Sequence, residues 1–177
     1  MAEERGSEAL TFWSFIDRAN ARLSEMGFAH PAATEVLLTL NRASSVVTYD
    51  LESSIHRPKG WSWASFRLMN VVWLAGPIES KQAAELSGSS RAAISNLTKP
   101  LVEDGFLQRT PDPEDGRSVR LSLTESGAAR MKELFAEQNE REQAWVNVLT
   151  EAEQRILVLL LNKLIADRDQ FDVRGRL

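Results

Sequence analysis

The sequence predicts a mainly α-helical (α+β) chain in which a short helix-turn-helix leads directly into a β-hairpin, with longer helices on both sides. Three observations predict it. Apolar residues recur at helical spacing along most of the chain. Two short helical segments flank a turn at Gly88. Residues 119–123 alternate apolar and polar side chains just before a helix start at Thr124.

The first helix follows from Phe12, Ile16, Ala19 and Leu23, and it should stop near Gly27. Pro31 suits a first helical position, and Val36, Leu40, Ala43, Val47 and Leu51 then alternate by four and three residues, the seam of a long second helix. That helix should end before Arg57-Pro58-Lys59-Gly60, a turn by composition. Ser62 is the expected N-cap of a third helix that buries Phe66, Met69, Val72 and Trp73 and breaks at Gly76-Pro77. Ser80 is expected to cap a fourth helix over residues 81–86, and Ser89 or Ser90 a fifth whose buried stripe is Ile94, Leu97 and Leu101. After Gly105 a strand should begin at Phe106. Its partner carries Val119, Leu121 and Leu123, with the turn in the intervening TPDPEDG.

Thr124 should start a sixth helix with Ala128, Met131 and Phe135 on one face and a polar stretch over residues 137–143. Thr150 and Glu153 fit a capping box for a last helix that is apolar nearly all round. Such a helix needs cover, and a second copy of the chain is the simplest source, because two-fold dimers dominate soluble oligomers.

Composition narrows the functions. With 43% hydrophobic and 26% charged residues among 177, the chain reads as globular. The absence of cysteine excludes disulfides and thiolate chemistry, and with only His30 and His56 neither a metal site nor a cofactor is expected. Residues 156–161, the longest apolar run, are too few to span a bilayer, and the N-terminus has no apolar leader core, so a cytoplasmic protein without membrane contact is expected. The carboxylates fall on solvated helix faces, no glycine-rich phosphate loop is present, and neither histidine adjoins a nucleophile; an enzyme is not expected.

These elements and motifs resemble the MarR family of winged helix-turn-helix transcriptional regulators. The likeness is most specific in the hairpin, where the family's D-x-R and L-T-x-x-G stand as Asp115-Gly116-Arg117 and Leu123-Thr124-Glu125-Ser126-Gly127. A second match is Ser90-Arg91-Ala92-Ala93-Ile94-Ser95-Asn96-Leu97, followed by Glu103-Asp104-Gly105-Phe106-Leu107. Together they cover roughly residues 62–127. The resemblance implies a winged helix-turn-helix lobe over residues 62–124. It also implies dimerisation helices in 1–61 and 125–177, a homodimer on a pseudo-palindromic duplex operator, and release by a small, often aromatic or phenolic, ligand. Two departures stand out: Pro100 lies inside the recognition helix, which it should kink or shorten, and Ser89 replaces a usually apolar residue.

The expected DNA contacts are Ser90, Arg91, Ser95, Asn96 and Lys99 with their neighbours Ser89 and Ala92, since Arg reads guanine, Asn reads adenine and a helix start holds phosphate. In the hairpin, Arg117 is placed to enter a minor groove with Asp115 orienting it, and Arg120 adds a second cation. The competing reading makes Ser90 a plain cap and Asp115–Arg117 a surface pair. Charge alone does not decide, because residues 89–120 hold Arg91, Lys99, Arg109, Arg117 and Arg120 against Glu103, Asp104, Asp112, Glu114 and Asp115, and the whole chain carries −4. A protein-interaction lobe that does not bind DNA is therefore the alternative. For the ligand, Tyr49 and the segment HRPKGWSW offer His56, Trp61 and Trp63 as walls, with Arg57 or Lys59 facing an anionic group. The alternative is that the two tryptophans staple the third helix to the core.

Overall fold

The computed structural model describes residues 10–112 and 118–166. The chain forms two compact units, Met1–Thr48 and Tyr49–Leu177.

In the first unit, helix α1 (Phe12–Glu25) starts with a reciprocal cap. Thr11 Oγ1 accepts the Ser14 N–H at 3.1 Å, and Ser14 Oγ accepts the Thr11 N–H at 3.0 Å. Ile16, one of the four residues at helical spacing, is buried, and Gly27 turns the chain at φ +80°. Helix α2 (Pro31–Leu51) begins at its proline and is tied to α1 by Asn20 Nδ2 donating to Glu35 Oε2 at 2.7 Å. Of its predicted seam, Leu51 is buried, while Val36 and Ala43 stand exposed.

The second unit opens where α2 runs on as a π-helical turn (Glu52–His56) and a tight 3-10 turn (Arg57–Lys59). Helix α3 (Trp63–Ala75) starts at Ser62, whose hydroxyl accepts the Ser65 N–H at 3.0 Å. It buries Phe66, Leu68, Met69 and Val72. Trp73 is only half-buried, against the Phe135 ring at 5.3 Å.

A two-residue strand, β1 (Ile78–Glu79), then pairs with β3 (Val119–Leu123), which also pairs with β2 (Leu107–Pro111), in the antiparallel order β1-β3-β2. Leu121 sits opposite both Ile78 and Arg109 and is fully buried. Strand β1 was not expected: two residues after Gly76-Pro77 carry no periodicity, and their pairing is set by β3 alone. It also moves the cap of helix α4 (Ser80–Ser87). Extended Glu79 is the N-cap residue, without a side-chain bond, and Ser80 lies inside the helix.

Helix α5 (Arg91–Glu103) departs from its expected stripe. Thr98 is buried with Ile94 and Leu101, and Leu97 is half-buried. Thr98 can occupy a core position because its hydroxyl donates to the Ile94 carbonyl at 2.7 Å. Pro100 does not shorten the helix, which continues to Glu103 and closes with the Asp104 N–H on the Pro100 carbonyl at 2.8 Å.

Helix α6 (Glu125–Val146) buries Gly127, Met131, Leu134 and Gln138; Ala128 and Phe135 are half-buried, so its inward face is rotated from the expected one. Its start gives the L-T-x-x-G motif a physical meaning. Thr124 Oγ1 accepts the Gly127 N–H at 3.0 Å, and the Thr124 and Ser126 hydroxyls donate to the Gly105 carbonyl at 2.6 and 2.8 Å. The helix start is thereby clipped to the turn that joins α5 to β2.

Thr150 and Glu153 form the expected box before helix α7 (Glu151–Ala166), none of whose residues is buried. Among the described residues, no helix is long and apolar enough to cross a membrane.

Candidate nucleic-acid interface

Gly88, in the left-handed region at φ +61°, ends α4 and lets the Ser89 N–H reach the Ala84 carbonyl at 2.9 Å. The chain then enters α5 through Ser90, whose hydroxyl accepts the Ala93 N–H at 3.2 Å. Ser90 is thus a working cap, whatever else it does. With Ile94, Thr98 and Leu101 turned inward, Arg91, Ala92, Ser95, Asn96 and Lys99 are left exposed, the last four on one face at spacings of three and four. Among the described residues, neither Arg91 nor Lys99 forms an ion pair and the Asn96 amide has no protein partner.

At the base of the hairpin, Arg120 Nε donates to the buried carboxylate of Asp112 at 2.5 Å, and the Asp112 N–H reaches the Ser118 carbonyl at 3.0 Å. The Arg120 guanidinium is therefore partly committed to holding the hairpin closed. Asp115, Arg117 and most of the TPDPEDG turn lie outside the described residues. Sequence reasoning assigned no role to Arg109, which projects from β2. With Ser95, Asn96, Lys99, Val102 and Glu103 it lines a concavity of about 380 Å³. Arg109 reaches the α5 side chains only through the pairing of β2, which no local sequence pattern announces.

The residues proposed to receive a ligand separate into two groups. His56 is fully buried and stacks on Phe66 at 4.1 Å, and Trp63 stacks on Phe66 at 5.7 Å, making a three-ring cluster. Gln138 donates through Nε2 to Glu142 Oε1 at 2.6 Å, which fixes its Oε1 as the acceptor of the His56 Nε2–H at 2.8 Å. His56 Nδ1 is then a buried lone pair with no protein partner. Burial pushes the imidazole pKa down against the opposing pull of the Gln138 bond. Trp61 instead packs its ring against Phe106 at 5.5 Å, Arg57 pairs with Glu52 at 3.6 Å, Lys59 pairs with Glu137, and Tyr49 is exposed.

One cluster had no sequence signal. Asp50 accepts Arg141 Nε and Nη2 at 2.7 and 2.6 Å and the Trp145 indole N–H at 2.7 Å. Hydrogen bonds from Arg141 and Trp145 hold its carboxyl well below the usual range.

A helix-turn-helix with an exposed polar second helix, backed by an antiparallel hairpin, defines the winged helix-turn-helix class of transcriptional regulators. The sequence profile of the MarR family matches residues 61–119. YwaE of Bacillus subtilis (strain 168), an HTH-type transcriptional regulator, is 32% identical over 132 residues, covering 75% of this chain and 77% of YwaE. The chain belongs to the MarR family of transcriptional regulators. Two solved structures share its fold. A mutant MarR from E. coli complexed with operator DNA aligns at TM-score 0.62 and 23% identity, over 72% of this chain and 94% of that one. The PcaV transcriptional regulator from Streptomyces coelicolor in complex with its natural ligand aligns at 0.63 and 19%, over 78% and 94%.

Proposed function

We propose that the chain is a sequence-specific duplex-DNA binder that represses transcription as a homodimer and is released by a small aromatic or phenolic ligand. The observation that carries this reading is the exposed face of α5, where Arg91, Asn96 and Lys99 keep their polar ends uncommitted within the described protein. Exposed donors on a helix that follows a tight turn suit major-groove base edges and phosphates. The lobe over residues 62–124 docks one half-site, and helices within 1–61 and 125–177 join two copies so that half-sites lie about 34 Å apart or a multiple of it. Arg117, with Asp115 beside it in sequence, serves as the minor-groove contact, and Arg120 steadies the hairpin base. The E. coli MarR complex with operator DNA supports the docking, and the ligand in PcaV supports release. In this chain the ligand region is assigned to Tyr49, His56, Arg57, Trp61 and Trp63, of which His56 and Trp63 meet on the Phe66 ring. Binding there shifts the population away from the DNA-competent arrangement.

The balanced charge of residues 89–120 favours the second reading, a lobe that contacts protein instead. Selection of bound sequences from a random duplex pool, repeated with small aromatic acids, separates the two. The DNA reading expects an enriched pseudo-palindrome. It also expects Asn96→Ala to relax preference at one position per half-site, and Arg117→Ala to weaken operator binding without changing thermal stability. No enrichment, with no binding to random duplex at low salt, would leave the protein-contact reading standing.

A further inference from the structure

Resting on that reading, we infer that the concavity between α5 and β2 seats a DNA backbone phosphate, with Lys99 and Arg109 as its cations and Glu103 as a counter-charge that keeps its affinity down. Two cations from different elements meet at one depression of about 380 Å³, and Ser95 and Asn96 add a hydroxyl and an amide N–H₂ as neutral donors. Neither Lys99 nor Arg109 is ion-paired among the described residues, although Glu103 lines the same depression. Two positive charges against one negative leave a net positive seat, which matches the single charge of a phosphodiester. Arg supplies two parallel N–H donors to phosphate oxygens, and Lys acts as a point charge.

The seat is also held in shape. Its two sides meet at the 104–106 turn, where Gly105 takes φ +75° and its carbonyl receives the Thr124 and Ser126 hydroxyls. The Arg109 backbone is paired opposite buried Leu121, so the strand that carries the guanidinium is fixed relative to α5. Phosphate contacts position a protein on DNA without reading sequence. Arg109 is therefore a register-setting residue, whereas Asn96 on the same concavity can reach base edges.

The test measures affinity of the full chain for a selected operator and for a random duplex, by fluorescence anisotropy between about 50 and 200 mM salt. Arg109→Ala should weaken both duplexes by the same factor and reduce the log–log salt slope by about 0.9, so its deficit narrows about three- to four-fold across that range. Arg109→Lys should keep the slope, and Glu103→Gln should tighten both duplexes alike. An unchanged slope in Arg109→Ala, or a loss confined to the operator, would overturn the phosphate seat while leaving DNA binding intact. If the unaltered chain binds neither duplex, DNA binding itself fails and the seat with it.

Discussion

Gly127 shows how one residue type is demanded by geometry. A Cβ there would lie 2.0 Å from the Phe106 carbonyl oxygen, a backbone atom that cannot rotate away. That carbonyl also accepts the Thr124 N–H at 3.1 Å, so moving it breaks the clip between α6 and the α5–β2 turn. Gly127→Ala should cost about 1–3 kcal/mol, the range for forcing atoms into a filled site, read as a lowered urea midpoint. Full stability in that variant would mean that the α6 start has room for a methyl group beside the Phe106 carbonyl. His56 makes a residue-scale prediction of another kind. Burial lowers its pKa most, with Lys59 acting the same way and Gln138, Glu52 and Glu142 opposing. The unfolded chain then binds the proton more readily than the native one. Stability from this site is complete above about pH 6.5 and falls as pH drops from there towards the folded pKa. His56→Phe keeps a ring on Phe66 but leaves Gln138 Oε1 without its donor. It should lose about 1–3 kcal/mol at neutral pH and flatten the acid-side decline, measured by unfolding between pH 7.5 and about 5.

At the scale of elements, the last turn of α2 is fastened to α6 by a charged clasp. Asp50 takes two donors from Arg141 and one from Trp145, and its side chain is only 18% exposed. Asp50→Asn removes the charge and one accepting oxygen, and should cost about 2 kcal/mol at pH 7 in urea unfolding. Because the folded pKa is depressed, the carboxylate's contribution is present above about pH 4 and is lost as pH falls towards the folded value. The asparagine variant should therefore lose part of the acid dependence seen with Asp50; identical slopes would place the stabilisation elsewhere. This clasp joins residues 91 and 95 positions apart, which explains why periodicity could not announce it. What periodicity did announce were the elements themselves, because apolar spacing, Ser62, Thr124, Thr150 and Gly88 act within one or two turns of chain. The failures share the opposite cause. Strand β1 exists only through β3, Thr98 replaces Leu97 in the core because a carbonyl one turn back accepts its hydroxyl, and Gln138 is buried because His56 meets it from another element. Within the candidate site, the exposed face of α5 was legible for the same local reason, while Arg109 needed the strand pairing to be seen.

At the scale of the whole molecule, α7 poses an unmet requirement. Ile156, Val158, Leu159, Leu160, Leu164 and Ile165 are each about half exposed, and their neighbour Leu157 is 45% exposed. A helix that is apolar all round holds its shape by packing on something, and a contiguous exposed apolar surface of this kind marks an interaction site. A second copy is the cover we expect, because a two-fold arrangement lets the same face serve both chains. Leu160 lies four residues from both Ile156 and Leu164, near the middle of the apolar run, and a two-fold axis would count any charge placed there twice. Leu160→Glu should convert the dimer to monomer at micromolar concentration in sedimentation equilibrium. The core built on α3, α5, α6 and the sheet should survive, since Leu160 is about half exposed and α7 buries none of its own residues. Operator affinity should fall with the dimer, because one lobe then engages one half-site alone, whereas Arg109→Ala should weaken binding with the dimer intact. A Leu160→Glu chain that stays dimeric would move the interface to other exposed apolar side chains, such as Trp13, Phe15 and Phe28 in the first unit.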